Sequence, residues 1–527
     1  MFRFIPASGR RPGVTRPHLA IAAAVCALAL AGCSGGGTGS QTSSQLSVQF
    51  PGPPISLDPA KAGNGGSAMF VSLAYDPLIF LSGSGDLAPD LATKWGFTDH
   101  ANEVFELTLR SGVTFSDGSG LDATAAAASM NYFLHAGGGL VGNVGPVAKI
   151  EAVSPATVRI TYKAPTPEAA LTLTQYNGMG NLIGPKGLAN PQSLLTSSDG
   201  TGQFIYDGAG SVADNRYVYK KNPHYFQPSA QHFDSAVVRV INNPNAVLSA
   251  AQTGQVQFAS GSANTAAAAK QAGLKVETAP FFNWSLNLVD RQGAVSPALA
   301  DVRVRQAIAL AFDRPAIAKA MAGSYASGSD QVLLPGTDGY DSNIGYGYDV
   351  AKAKSLLAQA GFPNGFKLTI LTESLLDVNN TYSQAIVDAL GNIGIDATLH
   401  VQTTGIAQFV GDALSKKYAA IIFPTAGTTM SQLDSQITHG LFNPFGSADG
   451  QLDSIMQQAA TADSAQARTA QYQQASRRLQ ELAWTVPIFA TQSVYYTAAG
   501  LQNFQASVLN PNPMPVGPTA DLSWRLK

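Results

Sequence analysis

The sequence predicts a mixed α/β fold, on three observations. "VFELTLRSGVTFSDG" (104–118) sets Phe105, Leu107 and Leu109 against Glu106, Thr108 and Arg110, the period-two pattern of a half-buried strand. "ADVRVRQAIALAFDR" (300–314) places Val304, Ala307, Ile308, Ala311 and Phe312 at helical spacing, with Asp301 positioned as a cap. Near 350–405, the strand "FKLTILT", a helix around 383–390 and the strand "IDATLHV" follow one another with short glycine turns. That order is a βαβ unit and implies a parallel pair.

Taken in chain order, the first element is a leader. Arg3, Arg10, Arg11 and Arg16 precede any acid, and residues 19–31 are almost wholly Ala, Leu, Ile and Val. A basic start, a short apolar core and then small residues make a secretory signal peptide. The core, about 13 residues, is short of the roughly 20 that span a bilayer as a helix. Leu30, Ala31, Gly32 and Cys33 resemble the bacterial lipobox, which makes Cys33 the expected lipidated first residue of the mature chain. Residues 34–44, rich in Gly, Ser and Thr, then read as a flexible tether.

Further along, Ser116-Asp117-Gly118 reads as a turn. "ATVRITYKA" (156–164) is a strand with Val158, Ile160 and Tyr162 on one face. Arg303 and Arg305 are expected to pin their helix by salt bridges. "DVAKAKSLLAQAGF" (349–362) is a helix ended by Gly361 and Pro363, "QARTAQYQQASRRLQELAW" (466–484) a long helix, and "TVPIFATQS" (485–493) a strand.

Composition excludes several function classes. The two cysteines, Cys26 and Cys33, supply neither a disulfide framework nor a thiolate metal site. Without residues 1–32 the chain carries 28 basic and 34 acidic residues, with no basic patch for nucleic acid. The seven histidines show no ligand spacing, and His-Glu-x-x-His, Ser-x-x-Lys and P-loop motifs are missing. Gly-x-Ser-x-Gly occurs at 32–36, in the tether and not on a strand-to-helix elbow. No catalytic residue, metal or cofactor is therefore expected.

Nine ordered motifs carry a family resemblance: "SLDPA" (56–60), "AYDPLIF" (74–80), "DLAPDLATKW" (86–95), "FELTLRSGVTFSDGSGLDA" (105–123), "GTGQF" (200–204), "KKNPHYF" (220–226), "ADVRVRQAIALAFDR" (300–314), "YDVAKAKSLLAQAGFPNGF" (348–366) and "VPIF" (486–489). In this order and spacing the chain, from about residue 47 onward, resembles the peptide and nickel class (extracellular family 5) of solute-binding proteins of bacterial ABC importers. The resemblance implies a two-lobed, class II periplasmic-binding-protein-like α/β fold with an extra domain inserted in the first lobe. Lobe I would comprise 45–74, 191–280 and 490–527, the inserted domain 75–190, and lobe II 281–489. It implies a monomeric receptor, lipid-anchored outside the cytoplasmic membrane, that closes around a solute and delivers it to a permease and its ATPase.

"PFFNWSLN" (280–287) falls where the second lobe of that family begins. Phe281, Phe282, Asn283 and Trp284 are the expected ligand contacts, offering stacking faces and an amide. Half of such a strand must face the core, so about two of the four are expected to reach solute. Peptide binders of the family carry a Trp followed three residues later by an Asp that pairs with the free amino terminus. At the matching stretch this chain has Thr425 and Thr428, with no acid before Asp434. A buried ammonium without a counter-charge is costly. Blocked peptides, oligosaccharides, opine-like conjugates and metal chelates therefore stand beside ordinary peptides as expected solutes. The rival readings are a sensor of the same fold and a secreted hydrolase; the hydrolase lacks any motif support.

Overall fold

The computed structural model describes residues 44–62, 65–377, 380–425 and 429–527. The leader, Cys33 and nearly all of the tether lie outside the described residues. The fold is mixed α/β, centred on one eleven-stranded sheet that runs through two lobes.

In the first lobe Gln45–Phe50 pairs in parallel with Ser235–Val240 and with Phe258–Ser260, and the antiparallel strands Arg216–Lys221 and Phe204–Tyr206 extend the edge. The second lobe holds the predicted βαβ unit. Lys367–Glu373 pairs in parallel with Asp396–Gln402, from Lys367↔Asp396 to Glu373↔Gln402, and with Ala420–Thr425 on its other side. Two long antiparallel strands, Lys275–Leu288 and Thr485–Thr497, join the halves. Tyr495, Tyr496 and Thr497 pair with Phe258–Ser260 in the first lobe, while 283–288 pairs with Ala420–Thr425 in the second.

Separate apolar cores hold these parts. The first lobe packs Leu46, Val48, Phe70, Tyr219, Phe258 and Trp524. The inserted domain is a four-stranded antiparallel sheet (Ala92–Phe97, Val104–Leu109, Thr157–Tyr162, Val147–Ser154) under the helix Ala123–His135. Its core takes Phe105, Leu107, Val158 and Ile160, the inward residues of the alternating strands, with Met130 and Phe133 from the helix. The second lobe buries one face of its sheet with Leu286, Val304, Ile308, Phe312 and Ile422, and the other with Phe409, Ile421, Leu433 and Tyr472. Among the described residues no helix is long and apolar enough to cross a membrane.

Local signals mostly act as read. Asp301 caps its helix, accepting from the Arg303 N–H at 2.8 Å, and Asp117 closes its turn by accepting from Ser119. Gly361 takes a left-handed φ of 92° after the helix Val350–Gln359. Two expectations are corrected. The helix from Val302 stops at Ala309, because Asp313 caps a second helix, Arg314–Ala322, with Pro315 in its first turn. Arg303 does pair with Asp301, but Arg305 instead donates to the Leu299, Ala300 and Leu482 carbonyls, tying that helix to the end of the helix Ala465–Leu482.

Candidate functional site at the strand crossing

The strands 275–288 and 485–497 change register where they pass between the lobes. Pairing runs from Lys275↔Thr497 to Pro280↔Gln492 and resumes at Asn283↔Ala490, leaving Phe281 and Phe282 in the irregularity. Such a bulge bends a strand and frees it from the flat ladder. The bend therefore falls on the stretch expected to border a cleft.

Phe281 and Phe282 are half-buried, their ring centroids 4.0 Å apart, and Phe282 leans on the second-lobe core. Asn283 is 2% exposed. Its Nδ2 donates to the Gln331 and Val332 carbonyls at 2.9 and 3.1 Å, while Oδ1 has no partner among the described residues. Asn283 stands opposite Thr425, whose hydroxyl, also buried, donates to the Asn283 carbonyl at 3.3 Å. The structure thus brings these two expected residues together.

Trp284 faces the other way. At 3% exposure it stacks 6.1 Å from Phe489 and meets Tyr382 edge-on at 4.8 Å, on the face it shares with Leu286 and Leu288. Pleating sends alternate residues to opposite faces, so Asn283, Ser285 and Asn287 form a buried polar row and Trp284 joins the core. Thr428 lies outside the described residues.

Sequence reasoning missed the acid that reaches this region. Glu168, at the edge of the inserted domain, accepts from the Thr429 hydroxyl at 2.8 Å and from the Tyr472 hydroxyl at 2.9 Å, both in the second lobe. Beside it, Asn102 donates to the Ala460 carbonyl at 2.9 Å. Burial pushes the Glu168 carboxyl above its ordinary value, against the pull of the two hydroxyls and of Arg468, while Asp338 adds a smaller push upward. Tyr472 is raised by burial and by the Glu168 charge. Asp434, the first acid after Thr425, accepts from Thr438 in its own helix turn, and burial raises its carboxyl. "PTPEAAL", which holds Glu168, carries no spacing that marks it, since its partners lie 261 and 304 residues further along.

Among the described residues there is no group of three or more His, Cys, Asp or Glu side chains arranged to hold a metal ion. What the arrangement can do is clamp: a bendable two-strand crossing, an aromatic pair and an unpaired amide oxygen beside it, and a carboxyl joining the domains on either side.

Residues 86–443 match the profile of the bacterial extracellular solute-binding proteins, family 5, middle region. The glutathione-binding protein GsiB of Shigella dysenteriae is 24% identical over 463 residues, covering 85% of this chain and 89% of its own. The periplasmic binding protein DppA of Helicobacter pylori, solved with the peptide STSA, superposes with a TM-score of 0.72 at 22% identity, covering 92% of this chain and 99% of DppA. AgaA of Agrobacterium tumefaciens R10, solved with agropinic acid, gives 0.73 at 21% identity over the same shares of the two chains.

Proposed function

The chain belongs to family 5 of the bacterial extracellular solute-binding proteins, and on that premise we propose that it closes its lobes around an extended, peptide-like solute. Family 5 proteins are the solute receptors of ABC importers and sit outside the cytoplasmic membrane. Here the lobes would be residues 45–74, 191–280 and 490–527 against residues 281–489, with 75–190 moving as part of the first. The receptor acts as a monomer. Cys33 is the lipid anchor that holds it near its permease, with the residues before it as the signal peptide and 34–44 as the leash.

The observation that carries this reading is the register shift between Pro280 and Asn283, where both chain crossings between the lobes lie side by side. Bending there changes the lobe angle without breaking either core, so a solute touched from both sides selects the closed form. Phe281 and Phe282 supply apolar area, and the Asn283 Oδ1 and the Thr425 hydroxyl supply polar contacts. No residue is given a catalytic role.

A second reading concerns the solute. Thr425 stands near the Trp position and Thr428 near that of the Asp that would hold a free amino terminus, and a relative of this fold was solved with agropinic acid. Blocked peptides and opine-like conjugates are therefore part of the solute range. A thermal-shift screen of the purified receptor, with glutathione, Ser-Thr-Ser-Ala, its N-acetylated form and a mannityl opine, separates the readings. A ligand bound by the native state raises the melting temperature by mass action. A shift with the free peptide and not the acetylated one supports ordinary amino-terminal recognition. A shift with the acetylated peptide or the opine alone supports the altered range, and no shift with any of the four contradicts the proposal.

A further inference from the structure

We propose that Glu168 is the latch of the closed receptor: it fastens the inserted domain to the second lobe through Thr429 and Tyr472, and thereby sets the balance between closed and open forms whatever solute is bound. The proposal rests on the two-lobed receptor reading but not on the identity of the solute.

The geometry is that of a clasp. Glu168 directly precedes the short helix Ala169–Thr172, whose Ala169 and Thr172 are buried in the inserted domain, so its backbone is fixed on that side. Its two carboxyl oxygens each take one hydroxyl from the opposite side: Oε2 from Thr429, the N-cap of the helix Met430–Ile437, and Oε1 from Tyr472 on the helix Ala465–Leu482. Both partner side chains are buried. A hinge motion at 280–283 carries these helices away from the inserted domain, and both hydrogen bonds are then lost together.

The charged and titratable groups facing Glu168 are Tyr472 and Arg468 on the helix Ala465–Leu482 and Asp338 on the neighbouring loop. Arg468 does not complete an ion pair with Glu168; its Nε, buried and without a hydrogen-bond partner, lies 3.7 Å from Asp338. Burial in the closed form raises the Glu168 carboxyl, whereas in the open form the same carboxyl meets water and titrates near its ordinary value. The closed form therefore binds the extra proton. Closure is favoured fully below the open-form pKa and loses that advantage as pH rises through the closed-form pKa.

The test uses small-angle X-ray scattering on the unliganded receptor, which reads lobe separation without any solute. Replacing Glu168→Ala removes both hydrogen bonds, and the loss of each one lowers the closed-to-open ratio by about tenfold or more. The radius of gyration of the variant is expected to rise, while its melting temperature stays close to that of the parent, since neither lobe core is touched. Glu168→Gln keeps the shape and one acceptor, so it is expected to remain more compact than Glu168→Ala and to lose the expansion that the parent shows with rising pH. Tyr472→Phe, which removes one hydroxyl and keeps the buried ring, is expected to expand the receptor at neutral pH without altering Glu168 itself. Should the Ala variant fail to fold, the Gln and Phe variants carry the test. Radii and pH profiles identical to the parent in both would overturn the latch. Expansion in these variants, combined with no binding in the solute screen, would leave the latch standing and sink the solute reading instead.

Discussion

Replacing Asn283→Ala isolates what this side chain does before any solute arrives. Its Nδ2 is the donor for two buried carbonyls, Gln331 at 2.9 Å and Val332 at 3.1 Å, and so ties the loop after Ala326–Gly328 to the strand crossing. Removing the donor orphans the Val332 carbonyl in a site that is nearly closed to water, while the Gln331 carbonyl keeps the Ser329 hydroxyl at 3.3 Å. An orphaned buried acceptor costs about 1–3 kcal/mol, and Asn283→Ala is expected to lose about that much unless water enters. The loss of the Oδ1 atom offsets little, because that atom has no partner among the described residues. Asn283→Asp is expected to be worse at neutral pH. It would set a carboxylate against the same two carbonyl oxygens, and its deficit would shrink in acid as the group protonates and becomes a donor. Urea unfolding of parent and variants reads the effect directly, with an unchanged denaturant slope showing that the native fold persists. A loss below about 0.5 kcal/mol for Asn283→Ala, or a deficit of Asn283→Asp that does not depend on pH, would refute the reasoning.

Three further outcomes follow from the same geometry. Trp284→Ala is expected to lower stability by about 3–5 kcal/mol, the cost of emptying a packed aromatic site, whereas Phe281→Ala, half-buried in the strand irregularity, costs less than half as much and weakens solute binding instead. Paired unfolding and calorimetric measurements check this, and equal stability losses would contradict it. Asp76 and Asp90 form a fully buried carboxyl pair, both held well above the ordinary carboxylate range by burial, with Arg110 opposing and the Asp90 charge adding to Asp76. Because the folded-state values are raised, the protonated pair favours the fold at acid pH, and that contribution fades as pH rises. Asp90→Asn should gain melting temperature relative to the parent as pH moves from 4 to 8, and a constant difference would contradict the assignment. Arg291 lies buried over Trp484, 4.1 Å from the ring, and donates to the Leu288, Ile437 and Phe442 carbonyls. Arg291→Ala orphans all three and should cost at least about 3 kcal/mol, read by urea unfolding; a loss under 1 kcal/mol would show that water replaces the guanidinium.

The legible part of the sequence is the part governed by neighbours. Asp301, Gly361 and the alternation at 104–109 act within a few residues, and each forms what its pattern implies. The βαβ unit was legible because short loops leave a parallel pair few other arrangements. The crossing strand Lys275–Leu288 obeys no single period. Its first four residues lie largely exposed at the margin of the first lobe, while its last six are buried on both faces in the second. "PFFNWSLN" therefore showed a strand but not which aromatics turn inward, and Trp284 went to the core. The break after Ala309 was written in Asp313 and Pro315, but the apolar spacing of Ala311 and Phe312 masked it. Glu168 was beyond reach: a contact made 261 residues away has no local signature, and in sequence an isolated acid beside an alanine run looks like any solvated side chain.

The most direct test is whether solute closes the lobes about the 280–283 crossing. Small-angle scattering of the purified receptor, with and without a saturating amount of whichever solute raises its melting temperature, measures this. The prediction is a fall in radius of gyration on binding that needs more solute in Phe281→Ala, in step with its weakened affinity. Saturable binding with an unchanged radius, in a receptor whose unliganded form is already expanded, would contradict it.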